Sequence, residues 1–323
     1  MQSGRQKRSA ILAPLYLSPL LLGSLLLSAL LLGAAFPAAS AAAGAESRYP
    51  LTFTDDLGRP VTLPEEPRRI VSIGPSITEI LFAVGAGEQV VGVDRFSNYP
   101  PEAAAVASVG SLTAPSYDTV VSLQPDLVFL SISSESEVVA ALEALGLRTA
   151  VLAPERLDAV VDAILRVGVI TNRQGEAEAL AAGIRARIEA VRAATASIPR
   201  EQRVRVFYEL WHDPLRSAGP GTYIHDLIEA AGGVNIAGDA PAPWPHFSHE
   251  ALVARDPQVI ITADAGSFNE IVAGRRAQWN GVSAVRERRV HLLDRDVLNR
   301  PGPRVVQALE EIARALYPDR FRD

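Results

Sequence analysis

The sequence predicts an α/β fold: two lobes with mainly parallel central sheets, joined by one long backbone helix. Three observations carry this. Buried-strand patterns alternate with helical ones in each half of the chain. One continuous helical stretch separates the halves, and one short unit occurs twice, once in each half. A length of 323 residues also exceeds what a single core usually needs. The expected divisions are 1–41 as export signal, 46–172 as first lobe, 173–199 as linking helix and 200–323 as second lobe.

The signal opens with Arg5, Lys7 and Arg8, continues through an apolar run from Ile11 to Phe36, and ends in small residues. Ala39-Ser40-Ala41 and Ala41-Ala42-Ala43 both fit an A-x-A cleavage site. The run is long enough to span a bilayer, so an uncleaved anchor is the alternative; Pro14 and Pro19 argue against a regular spanning helix. Cleavage after residue 41 leaves 28 basic and 37 acidic residues, a net charge of −9.

Beyond the signal, Tyr49–Pro67 reads as a hairpin, with Phe53 and Val61 flanking the turn at Asp55-Asp56-Leu57-Gly58. Strands follow at Arg69–Ile73, Val90–Val93, Asp126–Leu130 and Thr149–Leu152. Ser76 and Glu79 have the spacing of a capping box, and Gly85 would end that helix. A further helix runs from about Ser136 to Gly146. Leu157–Ala196 is helical throughout, with a break at Gly168 or Thr171-Asn172 and with Leu180, Ile184, Ile188 and Val191 on one face. Strands resume at Val204–Tyr208, Val259–Thr262 and Val290–Leu293. Thr222 caps a helix that ends at Gly232-Gly233, and Pro301–Leu316 closes the chain.

The repeated unit is Ser116-x-Asp118 before Pro125 and a strand, and Ser248-x-Glu250 before Pro257 and a strand. The serine is the expected N-cap, and the acid stands exposed in the first helical turn.

Composition excludes several chemistries. Hydrophobic residues make up 48% and charged residues 21%, enough apolar content for a folded body. Absence of cysteine rules out disulfides, thiolate zinc, iron–sulfur clusters, a cysteine nucleophile and a lipid on an N-terminal cysteine. Lys7 is the sole lysine, so no lysine Schiff base forms in the folded body. A charge of −6 argues against nucleic-acid binding. Export without cysteine fits a bacterial periplasm.

No motif signals catalysis. Gly85-Ala86-Gly87 lacks the preceding strand and third glycine of a dinucleotide loop, and no serine sits in a G-x-S-x-G elbow. Gly219-Pro220-Gly221-Thr222 opens a helix whose backbone N–H groups can face an anion, but it lacks a phosphate-loop lysine; a turn and cap is the favoured reading, and a place beside the ligand the alternative. Of the five histidines only His246 and His249 are close in sequence, too little for a metal site. The tryptophans point to binding instead. Trp244 stands in the proline-stiffened Ala240–Pro245 loop, and Trp211 follows a strand, where open α/β sheets take ligands. Ser76 and Phe96 follow strands in the first lobe. Together they suggest an aromatic-lined cleft.

From about Phe53 to Tyr317 the chain resembles the substrate-binding proteins of bacterial ABC importers, in the helical-backbone subgroup that serves cobalamin, haem and ferric siderophores. The likeness lies in Arg69–Ser72 with Pro75–Glu79, Tyr99-Pro100-Pro101, Leu123–Val128, Pro243-Trp244-Pro245 with Ser248-His249-Glu250, and Arg300-Pro301-Gly302-Pro303-Arg304. Within the subgroup it is most similar to cobalamin binders. The resemblance implies no enzyme activity and no resident cofactor or metal, but a cobalt corrinoid as ligand, with haem or a ferric siderophore as the alternative. It implies ligand contacts at Ser76, Phe96, Trp211, Arg216, Trp244, Asp296 and Arg300. It implies that Asp118 and Glu250 dock with arginines of an ABC permease, whose ATPase drives import, and that the carrier is a monomer. Leu112 and Ser131 depart from the best-known cobalamin binder, which carries tryptophan there, and Arg216 replaces an aromatic ring. A metal-dependent enzyme on the same scaffold and a membrane-tethered receptor are the rival readings.

Overall fold

The protein is described here by a computed structural model covering residues 48–131 and 136–321. The export signal expected over 1–41 lies outside the described residues.

The first lobe begins with the hairpin β1 (Leu51–Thr54) and β2 (Pro60–Leu63), in which Phe53 pairs with Val61. Then come β3 (Ile70–Ile73), α1 (Pro75–Ala83), β4 (Val90–Val93), α2 (Tyr117–Ser122), β5 (Leu127–Ser131), α3 (Ser136–Ala144) and β6 (Thr149–Leu152). Two helices follow, α4 (Leu157–Ile170) and α5 (Gln174–Thr195). The second lobe runs β7 (Arg205–Glu209), α6 (Tyr223–Ala230), β8 (Val234–Asn235), α7 (His249–Arg255), β9 (Val259–Thr262), α8 (Ala265–Val272), α9 (Ser283–Arg286), β10 (Val290–Leu292), α10 (Arg295–Leu298) and α11 (Val305–Leu316).

Both central sheets are wholly parallel. Their orders are β4-β3-β5-β6 and β8-β7-β9-β10, so numbered within each lobe both read 2-1-3-4. The lobes are topological copies.

Strand alternation divides the core. Ile70, Leu127, Phe129, Val206, Tyr208, Val259 and Ile261 face one continuous core shared with α4, α5 and α11. Val71, Val128 and Leu130 face a separate cluster under α2 and α3, while Phe207 and Ile260 face another under α7 and α8. The two lobes therefore share apolar packing on the backbone-helix side.

The 22 residues of α5 span about 33 Å. Its buried stripe is Ala177, Ala181, Ile184, Ile188, Val191 and Thr195, at helical spacing, with Leu180 half-buried at the edge. The break before it falls at Thr171-Asn172, where Asn172 is left-handed at φ 58°. Gly168 lets α4 cross α5 closely, since a Cβ there would lie 2.2 Å from that of Ala177. Arg173 Nε donates to Gly85 O in the first lobe, and at the other end Thr195 packs on Gly232 in the second.

Two local expectations are corrected. Ser76 and Glu79 form no capping box: α1 starts at Pro75 after Gly74, without a side-chain cap, so Ser76 already lies inside the helix, and Glu79 is drawn into ion pairs across the lobes. The closing helix starts at Val305 rather than Pro301, the intervening residues forming a turn closed by Val305 N donating to Gly302 O.

Candidate functional site

The carboxyl ends of the strands meet where the lobes join. Ser76 follows β3 and is buried; Phe96 follows β4 and stands 44% exposed. Asp296 and Arg300 follow β10. These four come together. Arg300 Nη2 donates to Phe96 O at 3.0 Å and meets Asp296 Oδ2 at 2.8 Å, while Nη1 donates to Asn98 Oδ1 at 2.8 Å and Glu79 Oε1 at 3.0 Å. Asn98 Nδ2 donates back to Asp296 Oδ2 at 3.1 Å. Arg304 adds Nε to Glu79 Oε2 at 2.9 Å and Nη2 to Glu79 Oε1 at 2.6 Å, and its guanidinium lies 4.1 Å from the Tyr99 ring centre. Gly302 fits closely against Ser76, where a Cβ would meet Ser76 O at 3.3 Å.

Glu79 is 2% exposed, and such a carboxylate is tolerated only when paired. Hydrogen bonds donated to Glu79 raise Arg304 above its ordinary value and hold it charged. Asp94, also buried, fastens the Phe96 loop by accepting from Phe96 N and Ser97 Oγ. Burial pushes its carboxyl above the usual range, against those bonds.

The second group belongs to one lobe. Leu210–Gly219 and Pro243–Phe247 form an irregular ladder. Leu210 N donates to Arg216 O, Arg216 N to Trp211 O, Ser217 N to Pro245 O, Gly219 N to Pro243 O and Phe247 N to Leu215 O. Gly219 is required there, since a Cβ would stand 2.6 Å from Ala242 O. The ladder places Arg216 between Trp211 and His246. Arg216 Nη2 donates to Trp244 O, while its Nε is buried with no partner. Trp211 is 61% exposed, with its indole N–H on Asp213 O. Trp244 is half-buried and leans on the shared core. The two groups connect through Tyr208 at the end of β7, whose hydroxyl donates to Asn299 Oδ1 beside Arg300. Trp279 differs from the other tryptophans: it is fully buried under β7.

The repeated serines cap as expected, Ser116 Oγ accepting from Thr119 N and Ser248 Oγ from Ala251 N. Asp118 and Glu250 are exposed in the first turns of α2 and α7. Its own backbone N–H and the Ser248 hydroxyl hold the Glu250 carboxyl below its ordinary range. Val121 and Val253, three residues beyond each acid, are each 42% exposed.

His212 and His249 face each other edge-on, with ring centres 6.4 Å apart. His249 Nδ1 is occupied by the Trp279 indole N–H at 3.1 Å. Among the described residues no three His, Asp or Glu side chains converge to hold a metal. A cavity of about 510 Å³ lies between the start of α4, the end of α5 and α6, lined by Arg156, Arg192, Arg203, Asp226 and Glu229, and includes none of the expected ligand residues.

Sequence reasoning missed Glu79, Asn98, Tyr99 and Arg304 as parts of this junction. A signal existed, because Pro75–Glu79, Tyr99–Pro101 and Arg300–Arg304 all stand out as motifs.

Two matched α/β lobes on a backbone helix, with polar and aromatic side chains where the strand ends meet, define a two-lobe solute-binding protein. The sequence profile of the periplasmic binding protein family matches residues 70–297, and the chain belongs to that family. An uncharacterized ABC transporter substrate-binding lipoprotein of Bacillus subtilis is 30% identical over 85% of this chain and 88% of its own length. The crystal structure of the periplasmic vitamin B12 binding protein of Vibrio cholerae superposes with a TM-score of 0.67 at 30% identity, covering 78% of this chain and 97% of that one. The periplasmic heme-binding protein of Roseiflexus sp. RS-1 gives 0.68 at 33% identity, over 79% and 99%. Among the described residues no helix is long and apolar enough to cross a membrane.

Proposed function

We propose that this protein captures a corrinoid between its lobes and delivers it to an ABC importer, without chemistry of its own. The observation that carries the reading is Trp244, a large ring fixed by a hydrogen-bonded ladder at the strand ends beside Trp211 and Arg216. A ring held this way stacks on a flat ligand at little entropic cost. On this reading Ser76, Phe96, Trp211, Arg216, Trp244 and Asp296 face the ligand, with Arg300 beside them. The V. cholerae likeness supports the ligand class. Export by the 1–41 signal would place the carrier in the periplasm, as a monomer.

A second reading, haem, is favoured by Arg216, whose unpartnered buried Nε suits an anionic ligand edge, and by the Roseiflexus likeness. Calorimetry of the mature protein with cyanocobalamin, cobinamide, haemin and ferric siderophores decides between them. Tight binding of either corrinoid upholds the proposal; binding of haemin or a siderophore alone overturns it. Trp244→Ala should weaken binding by about 1–3 kcal/mol.

Docking on the permease would use Asp118 and Glu250, with Val121 and Val253 as apolar neighbours on the same helix faces. Glu250→Arg should abolish transport in reconstituted vesicles while ligand affinity stays unchanged; lost affinity would refute the docking role. The shared core and α5 should hold lobe rotation on ligand binding to a few degrees.

A further inference from the structure

The terminal nitrogens of Arg300 are committed within the protein. The two meet four acceptors: Glu79 Oε1, Asn98 Oδ1, Phe96 O and Asp296 Oδ2. Three of the four belong to the opposite lobe, and the side chain is 10% exposed. Glu79, which fixes it, is 2% exposed. What the cluster leaves outward is a different pair of groups. Phe96 gives only its backbone carbonyl to Arg300, and its side chain is 44% exposed, with the Arg95 guanidinium 4.7 Å from the ring centre. Asp296 uses Oδ2 for both Arg300 and Asn98, and its side chain keeps 38% exposure.

We propose that Arg300 is a positioning residue rather than a ligand contact: held by the buried Glu79 carboxylate, it sets the Phe96 ring of one lobe and the Asp296 carboxylate of the other at a fixed separation across the cleft. The physical basis is the geometry of the guanidinium, whose planar fork holds several acceptors at once in one plane. Arg304, doubly bonded to Glu79 and stacked on Tyr99, braces the same carboxylate. One buried acid thereby governs the spacing of two surface groups it does not touch.

The ligand arm of the test rests on the function proposed above; the second arm needs no ligand. Glu79→Gln, Arg300→Gln and their double variant are titrated with cyanocobalamin and with haemin. A positioning role makes Glu79→Gln weaken binding about tenfold, close to Arg300→Gln, with the double variant no weaker than either single one. Affinity within twofold of wild type in Glu79→Gln, alongside a large loss in Arg300→Gln, would mean direct ligand contact and overturn the proposal. Lower thermal stability with unchanged affinity in every variant would mean a purely structural pair and overturn it equally.

Hydrogen exchange supplies the second arm. In Glu79→Gln, amides of 95–99 and 296–304 should exchange faster together while the sheets stay protected. Loosening of one segment without the other refutes the coupling. Should Glu79→Gln fail to fold, Asn98→Ala removes two contacts of the cluster from an exposed position and must give the same paired loosening. If wild type binds neither probe, the corrinoid and haem readings fall, and exchange alone decides the role of Arg300.

Discussion

The two copies of the repeated unit match in backbone and differ in what they are fastened to. In α2–β5 and α7–β9 the serine caps, the exposed acid and the exposed valine occupy equivalent places. Even the turn before the proline is the same, with Gln124 at φ 46° and Asp256 at φ 41°. Inward from these helices the likeness ends. The first lobe turns directly from β3 into α1, whereas the second interposes Leu210–Gly219 between β7 and α6 and pairs it with the Trp244 loop. The second lobe also buries an ion pair, Glu209 with Arg276, at 1% and 4% side-chain exposure. The lesson is that the outer edge and the cleft edge of a lobe vary independently. On the proposed function, matching outer edges would meet a partner with two similar faces, and unlike inner edges a ligand with two unlike sides.

The comparison is broken most forcefully in the second lobe. Arg276→Leu leaves Glu209 buried without its partner and should cost about 3–5 kcal/mol in denaturant unfolding. A cost below about 1 kcal/mol would show that the pair does not anchor this lobe.

The first lobe has a corresponding fastening in Asp55, which accepts from Arg59, from Leu57 N and from Val151 N. Burial alone would raise its carboxyl, but these hydrogen bonds outweigh burial and hold it below its ordinary 3.8. The stability it contributes is therefore complete above that value and is lost as pH falls below it. Asp55→Asn should cost about 1–3 kcal/mol at neutral pH and flatten the acid limb of stability against pH. An unchanged acid limb would exclude Asp55 as its source.

The smallest effect tests the matched edges themselves. Ser116→Ala and Ser248→Ala each remove one capping bond and should each cost about 1 kcal/mol, equal within error. A clear inequality would show that the two units are alike in backbone but not in energy.

Much of this was legible in the sequence because it is local. Strand runs, the caps at Ser116, Ser248 and Thr222, and the stripe on α5 all follow from neighbouring residues. Glu79 shows where local reading stops. Ser-x-x-Glu favours a cap by proximity, but the helix starts earlier, at Pro75, and the carboxylate goes instead to charge-assisted bonds with two arginines more than 220 residues away. His212 and His249 likewise meet only through the fold, and Trp279 could not be told from Trp211 and Trp244 until its burial was known.

The junction of the lobes also has a consequence for assembly. Its bonds join residues 198 to 225 positions apart. Contacts of that separation carry a heavy loop-closure cost and form late, after nearer partners have ordered each lobe. During synthesis the first lobe has its own sheet well before Arg300 emerges, so Glu79 waits as an unpaired acid at the lobe's edge. The junction between the lobes is then the last part of the molecule to form, and its completion reports that the whole chain has arrived.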